Sequence, residues 1–234
     1  MCLIINHVDT EYMKTRFLLL ASFILLSFNS HQALAMARGK PADPAPTTPA
    51  PAPVSKYAEG DIIFIQSQTQ QSAALREATG SVWTHVGIMI KKSSAWYVAE
   101  AVGPLKETPL ADFIARSKNK SYRIVRYNHF DAATMTTALK QALPKYNKPY
   151  DIYFEWTEDK IYCSELTYHV MKDVTGFDLG RIQKMKEMKL DGPYAQALIK
   201  KRYTDTGREL DPEELIVTPV SQLEDEEVTL IESK

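Results

Sequence analysis

The chain has 234 residues, with 28 Lys and Arg against 29 Asp and Glu, and 44% of it is hydrophobic. That length suits one globular domain or two small ones, and a net charge of −1 gives no broad basic face for nucleic acid. Two cysteines cannot build a disulfide scaffold, and no Cys/His cluster has zinc-ligand spacing, so neither metal nor cofactor is expected.

Residues 1–12 fit no signal-peptide pattern and read as a misassigned start ahead of Met13. Met13-Lys14-Thr15-Arg16 is a short cationic start that runs into an apolar stretch, Phe17 to Phe28, broken only by Ser22 and Ser27. Ala33-Leu34-Ala35 then supplies the small-x-small pattern of a signal-peptidase site, so residues 13–35 are expected to be a bacterial secretory signal cleaved after Ala35. Twelve helical residues reach only about 18 Å, too short for ~30 Å of hydrocarbon. Cleavage removes two basic residues (Lys14, Arg16) and two acidic ones (Asp9, Glu11), so the charge stays −1. The expected location is periplasmic or secreted, with contact to the wall or to a membrane surface. Residues 36–56 follow as a Pro/Ala-rich linker, with prolines at 41, 44, 46, 49, 51 and 53. Such a segment buries nothing and is expected to be extended, either as a spacer or as a leader with no role.

The domain is expected over residues 57–234. Its elements read as strand 60–66, helix 70–78, and strands 82–91 and 95–102. A short helix 109–116, strand 121–127 and helix 132–143 follow, the last ended by Pro144. Lys91-Lys92-Ser93-Ser94 is a polar break between two strands. A hairpin that pairs Ile90 with Ala95 sets His85 opposite Glu100, the one carboxylate among Val98, Ala99, Ala101 and Val102. A strand Glu in apolar company needs a partner, and an imidazole supplies one.

Export would remove Cys2 and leave Cys163 as a lone cysteine in an oxidising compartment. An unpaired cysteine is most often a small buried hydrophobe, and a core thiol at a helix start would look the same from sequence. Yet Cys163, Leu166, Thr167, Val170 and Val174 share one helical face, and Gly176 is a fitting C-terminal cap. Cys163 then sits in the first turn of a helix, where backbone N–H groups and the helix dipole favour a thiolate and can bind an oxyanion. A base decides between the readings. His169, six residues on, points elsewhere around the helix, and His129 lies where a strand hands over to a helix, as a turn or capping residue. His85 remains. The set is Cys163 as nucleophile, His85 as base and later acid, and Glu100 as orienter.

Gly60-Asp61-Ile62-Ile63-Phe64, Thr84-His85-Val86-Gly87 and Tyr162-Cys163-Ser164-Glu165-Leu166 resemble the permuted papain-like enzymes of the YaeF/YiiX group, relatives of the NlpC-type cell-wall peptidases. His85 precedes Cys163, the order of the permuted group. Tyr150-Asp151-x-x-Phe154 and Ile216-Val217-Thr218-Pro219 extend the match. The resemblance implies an α+β, circularly permuted papain-like (NlpC-like) fold, in which an antiparallel sheet packs against the cysteine helix. It implies a thiol hydrolase or acyltransferase acting on amide or ester bonds, with the Cys–His–polar set carried over to Cys163, His85 and Glu100.

The expected activity is that of an exported cysteine amidase or peptidase working through an acyl-thioester. Its substrate is an amide-containing cell-wall or lipid molecule, with peptidoglycan stem peptides or lipid amides as first guesses. An acyltransferase with the same triad and a non-catalytic wall- or lipid-binding module are the alternatives. The Lys-, Arg- and Met-rich segment 181–210 reads either as a cap over the site or as a solvated surface helix. Tyr162 reads as an oxyanion-site or core residue, and Asp151 as an orienting or turn residue.

Overall fold

The computed structural model describes residues 56–129 and 131–234. The expected start, secretory signal, Cys2 and all of the linker except Lys56 lie outside them. Among the described residues no helix is long and apolar enough to cross a membrane.

Six strands form one antiparallel sheet in the order β4-β3-β2-β1-β5-β8. They are β1 (Ile62–Ser67), β2 (His85–Lys92), β3 (Ala95–Ala101), β4 (Leu105–Pro109), β5 (Ser117–Tyr127) and β8 (Val228–Ser233). A two-stranded sheet pairs β6 (Ile182–Lys184) with β7 (Leu215–Val217). The helices are α1 (Gln70–Thr79), α2 (Leu110–Ala115), α3 (Ala132–Ala142), α4 (Cys163–Thr175), α5 (Pro193–Arg202) and α6 (Pro219–Leu223). The fold is α+β, as expected.

Strand alternation divides the core in two. Ile62 and Phe64 of β1, Val86 and Ile88 of β2, and Ala99 and Ala101 of β3 pack with Leu166, Val170 and Met171 of α4. Ile63, Ile65, Met89, Val98 and Ile124 face the other way, onto Phe113 of α2. Both faces of the central strands are therefore buried, which explains the unbroken Ile-Ile-Phe-Ile run. Local chemistry sets the helix ends. Thr69 caps α1 by accepting from the Ser72 N–H, and Gly176 closes α4 in the left-handed region at φ 81°. The Gly60-Asp61 pair that opens β1 is structural: Asp61 is fully buried and takes two hydrogen bonds from Arg126 of β5, at 2.7 and 2.9 Å.

Three expectations need correction. The β2–β3 hairpin closes on Lys92 and Ala95 through a two-residue turn with Ser93 at φ 54°, not on Ile90 and Ala95. Ile88 pairs with Ala99, so the register lies two residues from the expected one, and His85 is diagonal to Glu100 rather than opposite it. A shift of two preserves the faces, so the two side chains still share one. Secondly, β4 and β8, short or largely exposed edge strands, carry no strong apolar alternation and were not expected. Thirdly, β5 begins at Ser117 rather than 121, while helix 132–143 ends at Ala142 and Pro144 falls within a 3-10 turn, Leu143–Tyr146.

The register gives Gly87 its purpose. One step beyond Ile88↔Ala99 it lies beside Glu100, and a Cβ there would meet Val98 Cγ1 at 2.4 Å and the Ala99 carbonyl oxygen at 2.8 Å. The missing side chain opens the diagonal across which His85 reaches Glu100. Gly87→Ala should therefore cost about 1–3 kcal/mol by overpacking, read as a lower urea midpoint at unchanged m. An unchanged midpoint would refute the close approach.

Candidate active site

Cys163 is the first residue of α4, free of any disulfide and 2% exposed. The N–H groups of a first helical turn have no intrahelical acceptor, so this end of α4 presents donors and the positive end of a dipole. Side chains from the C-terminal segment hold it. Ser164 Oγ donates to the Val217 carbonyl at 2.8 Å, and the Val217 N–H donates to the Tyr162 hydroxyl at 3.2 Å. Gln222 of α6 donates to the Ser164 carbonyl at 2.8 Å and accepts from Thr167 Oγ1 at 2.6 Å. Tyr162 is thus a core residue that anchors the helix. The Ile216-Val217-Thr218-Pro219 motif supplies β7 and the cap of α6, from which this clamp is built.

His85 is the first residue of β2. Its ring lies on the Phe113 face, stacked on Phe113 at 5.6 Å between centroids, opposite the face carrying Val86 and Ile88. It lies close enough to Cys163 for that residue to act on its pKa. His85 Nε2 is 2.6 Å from Glu100 Oε2, which leaves Nδ1 as the ring nitrogen available to another partner.

Glu100 has no solvent exposure and is held on every side. Thr108 Oγ1 of β4 donates to Oε1 at 2.6 Å, and Arg116, the residue after α2, donates from Nη2 to both oxygens at 2.7 and 2.6 Å. Burial would raise its pKa, but hydrogen bonds from His85, Arg116 and Thr108 outweigh burial and hold it at about 2. Burial likewise lowers the imidazole, while its hydrogen bonds and charge interactions with Cys163 and Glu100 raise it to about 9. The structure thus brings Cys163, His85 and Glu100 together, and adds Arg116 and Thr108.

The other sequence candidates fall away from this centre. His129 is a turn residue stacked on Phe177 at 3.7 Å, and the cap of α3 is Asp131 instead. His169 lies against Tyr146 and Trp156, 3.6 Å from Glu165. Asp151 accepts from the N–H groups of Tyr153 and Glu155 and so shapes the loop before α4. In segment 181–210 Met185 and Met188 are buried, whereas Lys184, Lys186 and Lys200 pair with surface carboxylates.

A cleft of about 270 Å³ opens beside His85 and is lined also by Thr84, Gln71, Arg116 and Tyr150. Tyr150 belongs to a sequence motif that by itself discloses no role for it. Burial foremost, and then the charge of nearby Cys163, pushes its phenol pKa up, so it stays a donor. Thr84 Oγ1 is buried and has no hydrogen-bond partner among the described residues.

The shifts fix the pH dependence of the pair. A raised His85 contributes stability that is whole below pH 6.5 and lost as pH rises through about 9. A lowered Glu100 contributes stability that is whole above pH 4.5 and lost as pH falls through about 2. In a ¹⁵N NMR titration one imidazole should hold its proton to about pH 9, and Glu100→Gln should move that midpoint down towards 6.5. A midpoint unmoved by the substitution would sever the pair.

Comparison with known proteins adds relatives to this geometry. The crystal structure of YiiX from Escherichia coli O157:H7, described as a metalloprotein, matches with a TM-score of 0.72 and 35% identity, covering 77% of this chain and 99% of that one. No group of three or more His, Cys, Asp or Glu that could hold a metal ion occurs among the described residues. The uncharacterized protein YiiX of Escherichia coli strain K12 is 36% identical over 173 residues, which are 74% of this chain and 84% of that protein. Residues 56–231 match the model of the "Permuted papain-like amidase enzyme, YaeF/YiiX, C92 family", and the chain belongs to that family, whose members are hydrolases of the papain-like type.

Proposed function

We propose that this protein is an exported cysteine amidase in which Cys163 attacks, His85 moves the proton and Glu100 orients the imidazole. The carrying observation is the buried Glu100 carboxylate, 2.6 Å from the ring of a histidine whose other nitrogen is left for Cys163 at a helix N-terminus. In the reactive form the thiol proton lies on His85. The sulfur adds to the carbonyl carbon of the substrate amide, and the oxygen takes up the negative charge. Collapse breaks the C–N bond, and His85 hands its proton to the departing amine. Water then adds to the thioester as His85 takes one of its protons, and the acid leaves as the thiol re-forms.

First-turn N–H groups of α4 and the Tyr150 hydroxyl are the donors proposed for the oxyanion. Thr84 adds a buried hydroxyl whose lack of a partner costs about 1–3 kcal/mol, a cost that a substrate amide in the cleft would relieve. The leader read in residues 13–35 directs the enzyme to the periplasm or beyond, where peptidoglycan stem peptides and lipid amides are the amides at hand.

A generic ester tests the chemistry before the natural substrate is known. p-Nitrophenyl acetate should acetylate Cys163, located by mass, and Cys163→Ala or His85→Ala should slow nitrophenol release by about 10²–10⁴-fold. Release unchanged in either variant would remove the reading. With an amine added to the assay, acid as the main product supports a hydrolase, and amide as the main product replaces it by an acyltransferase.

A further inference from the structure

Behind Tyr150 lies a hydrogen-bonded chain that the catalytic set leaves unused. Gln71, the second residue of α1, donates from Nε2 to the Tyr150 hydroxyl oxygen at 2.7 Å. Arg202, the last residue of α5, donates from Nη2 to Gln71 Oε1 at 2.6 Å and from Nη1 to the Ile152 carbonyl. Its guanidinium also lies over the Phe154 ring at 5.4 Å. Arg202 is partly buried and makes no ion pair among the described residues. Burial disfavours its charged form, and the charge of nearby groups, Asp151 among them, offsets only part of that.

Donor and acceptor types give this chain a direction. A guanidinium can only donate, so the carbonyl end of the Gln71 amide must turn towards Arg202. The NH₂ end then faces Tyr150, and the phenol oxygen has to accept. The phenol hydrogen is left free, with no acceptor for it among the described residues. The same hydroxyl lies close enough to Cys163 for the sulfur's charge to act on it, and Tyr150 lines the cleft with His85.

We infer that Arg202 and Gln71 are positioning residues that set the polarity of Tyr150, holding its O–H directed at the oxyanion formed on the Cys163-bound carbonyl. This rests on Cys163 being the nucleophile and deepens that reading. Arg202 is favoured over a lysine because its planar fork fixes the amide and the Ile152 carbonyl together. The segment 181–210 thereby reaches the site through one side chain, its lysines remaining at the surface.

Gln71→Glu tests the polarity at constant shape. A carboxylate accepts from both neighbours, so Tyr150 would turn its hydrogen to the new carboxylate and away from the cleft, while the ion pair with Arg202 keeps the helices joined. Two reactions of Cys163 are compared: acetylation by p-nitrophenyl acetate, which forms an oxyanion, and alkylation by iodoacetamide, a displacement that does not. The expected result is an acetylation rate about 10²-fold lower in Gln71→Glu, with alkylation within about twofold of wild type and the melting temperature unchanged or raised. Tyr150→Phe should lose a similar factor, and the double variant should lose no more than Tyr150→Phe alone. Arg202→Met, which frees the amide to rotate, should fall between wild type and Gln71→Glu, and Arg202→Lys should recover part of that loss.

Wild-type acetylation in Gln71→Glu, with Tyr150→Phe slowed, would overturn the polarity role and leave the nucleophile in place. Wild-type acetylation in Tyr150→Phe would overturn the donor. A wild-type protein that alkylates but never acetylates at Cys163 would overturn the amidase reading and this inference with it.

Discussion

A carboxylate without solvent is the constraint around which the site is built. An unpaired charge at Glu100 would cost several kcal/mol, so the position is tenable only when its oxygens are hydrogen-bonded throughout. Its donors come from three places: His85 on β2, Thr108 on β4, and Arg116 just after α2. The strand order β4-β3-β2 puts Glu100 on the middle strand, with a donor on each flank, and the α2 turn brings Arg116 back over it. With one oxygen held by Thr108 and both by Arg116, the direction of the second oxygen is set, and the imidazole has one way to lie. Glu100 takes Nε2 of His85 and so leaves Nδ1 as the ring nitrogen available to another group.

The sulfur is fixed by a different part of the chain. Val217 and Gln222 lie more than fifty residues after Cys163, yet they bind Ser164, Thr167 and Tyr162, the residues around the start of α4. These are buried polar contacts with their partners in place, which favour one arrangement over near alternatives. The permuted order has a physical consequence here. The sheet that carries His85 and Glu100 comes first, Cys163 follows, and the segment that pins the start of its helix comes last.

Residues whose chemistry is odd for their place were legible in the sequence. Glu100 stands out in an apolar strand and Cys163 at the head of an amphipathic helix, and alternation put His85 on the same face as Glu100 even with the hairpin register two residues off. That tolerance has a reason: strand geometry repeats every two residues, so the even error moved the pair from opposite to diagonal without changing the face. What escaped reading has reasons too. Arg116 and Thr108 are ordinary residues at the ends of ordinary elements, and only the turn of the chain brings them to Glu100. The edge strands β4 and β8 lack strong apolar alternation because solvent, or a short pairing, replaces the core on part of their surface. Tyr150 and Gln71 are separated by 79 positions, and their hydrogen bond has no local signature.

Two polar systems of different kinds thus lie near Cys163, one ending in His85 and the other in Tyr150. One is ionic: Arg116, Glu100 and His85 alternate in charge, and although burial lowers the imidazole pKa, Cys163 and Glu100 together raise it to about 9. The other ends in a neutral phenol. Its order is set by a guanidinium that only donates, and Tyr150 titrates far above the range in which the ionic set works. In the proposed reaction the first would govern how the proton reaches and leaves His85, and so it would answer to pH. In the same proposal the second would set where one hydroxyl hydrogen points, and so it would answer to the identity of a single amide. Because the two share no residue, the proposed attack by the sulfur and the proposed stabilisation of the oxyanion would be weakened independently of each other. A site in which one network served both tasks would not allow that separation.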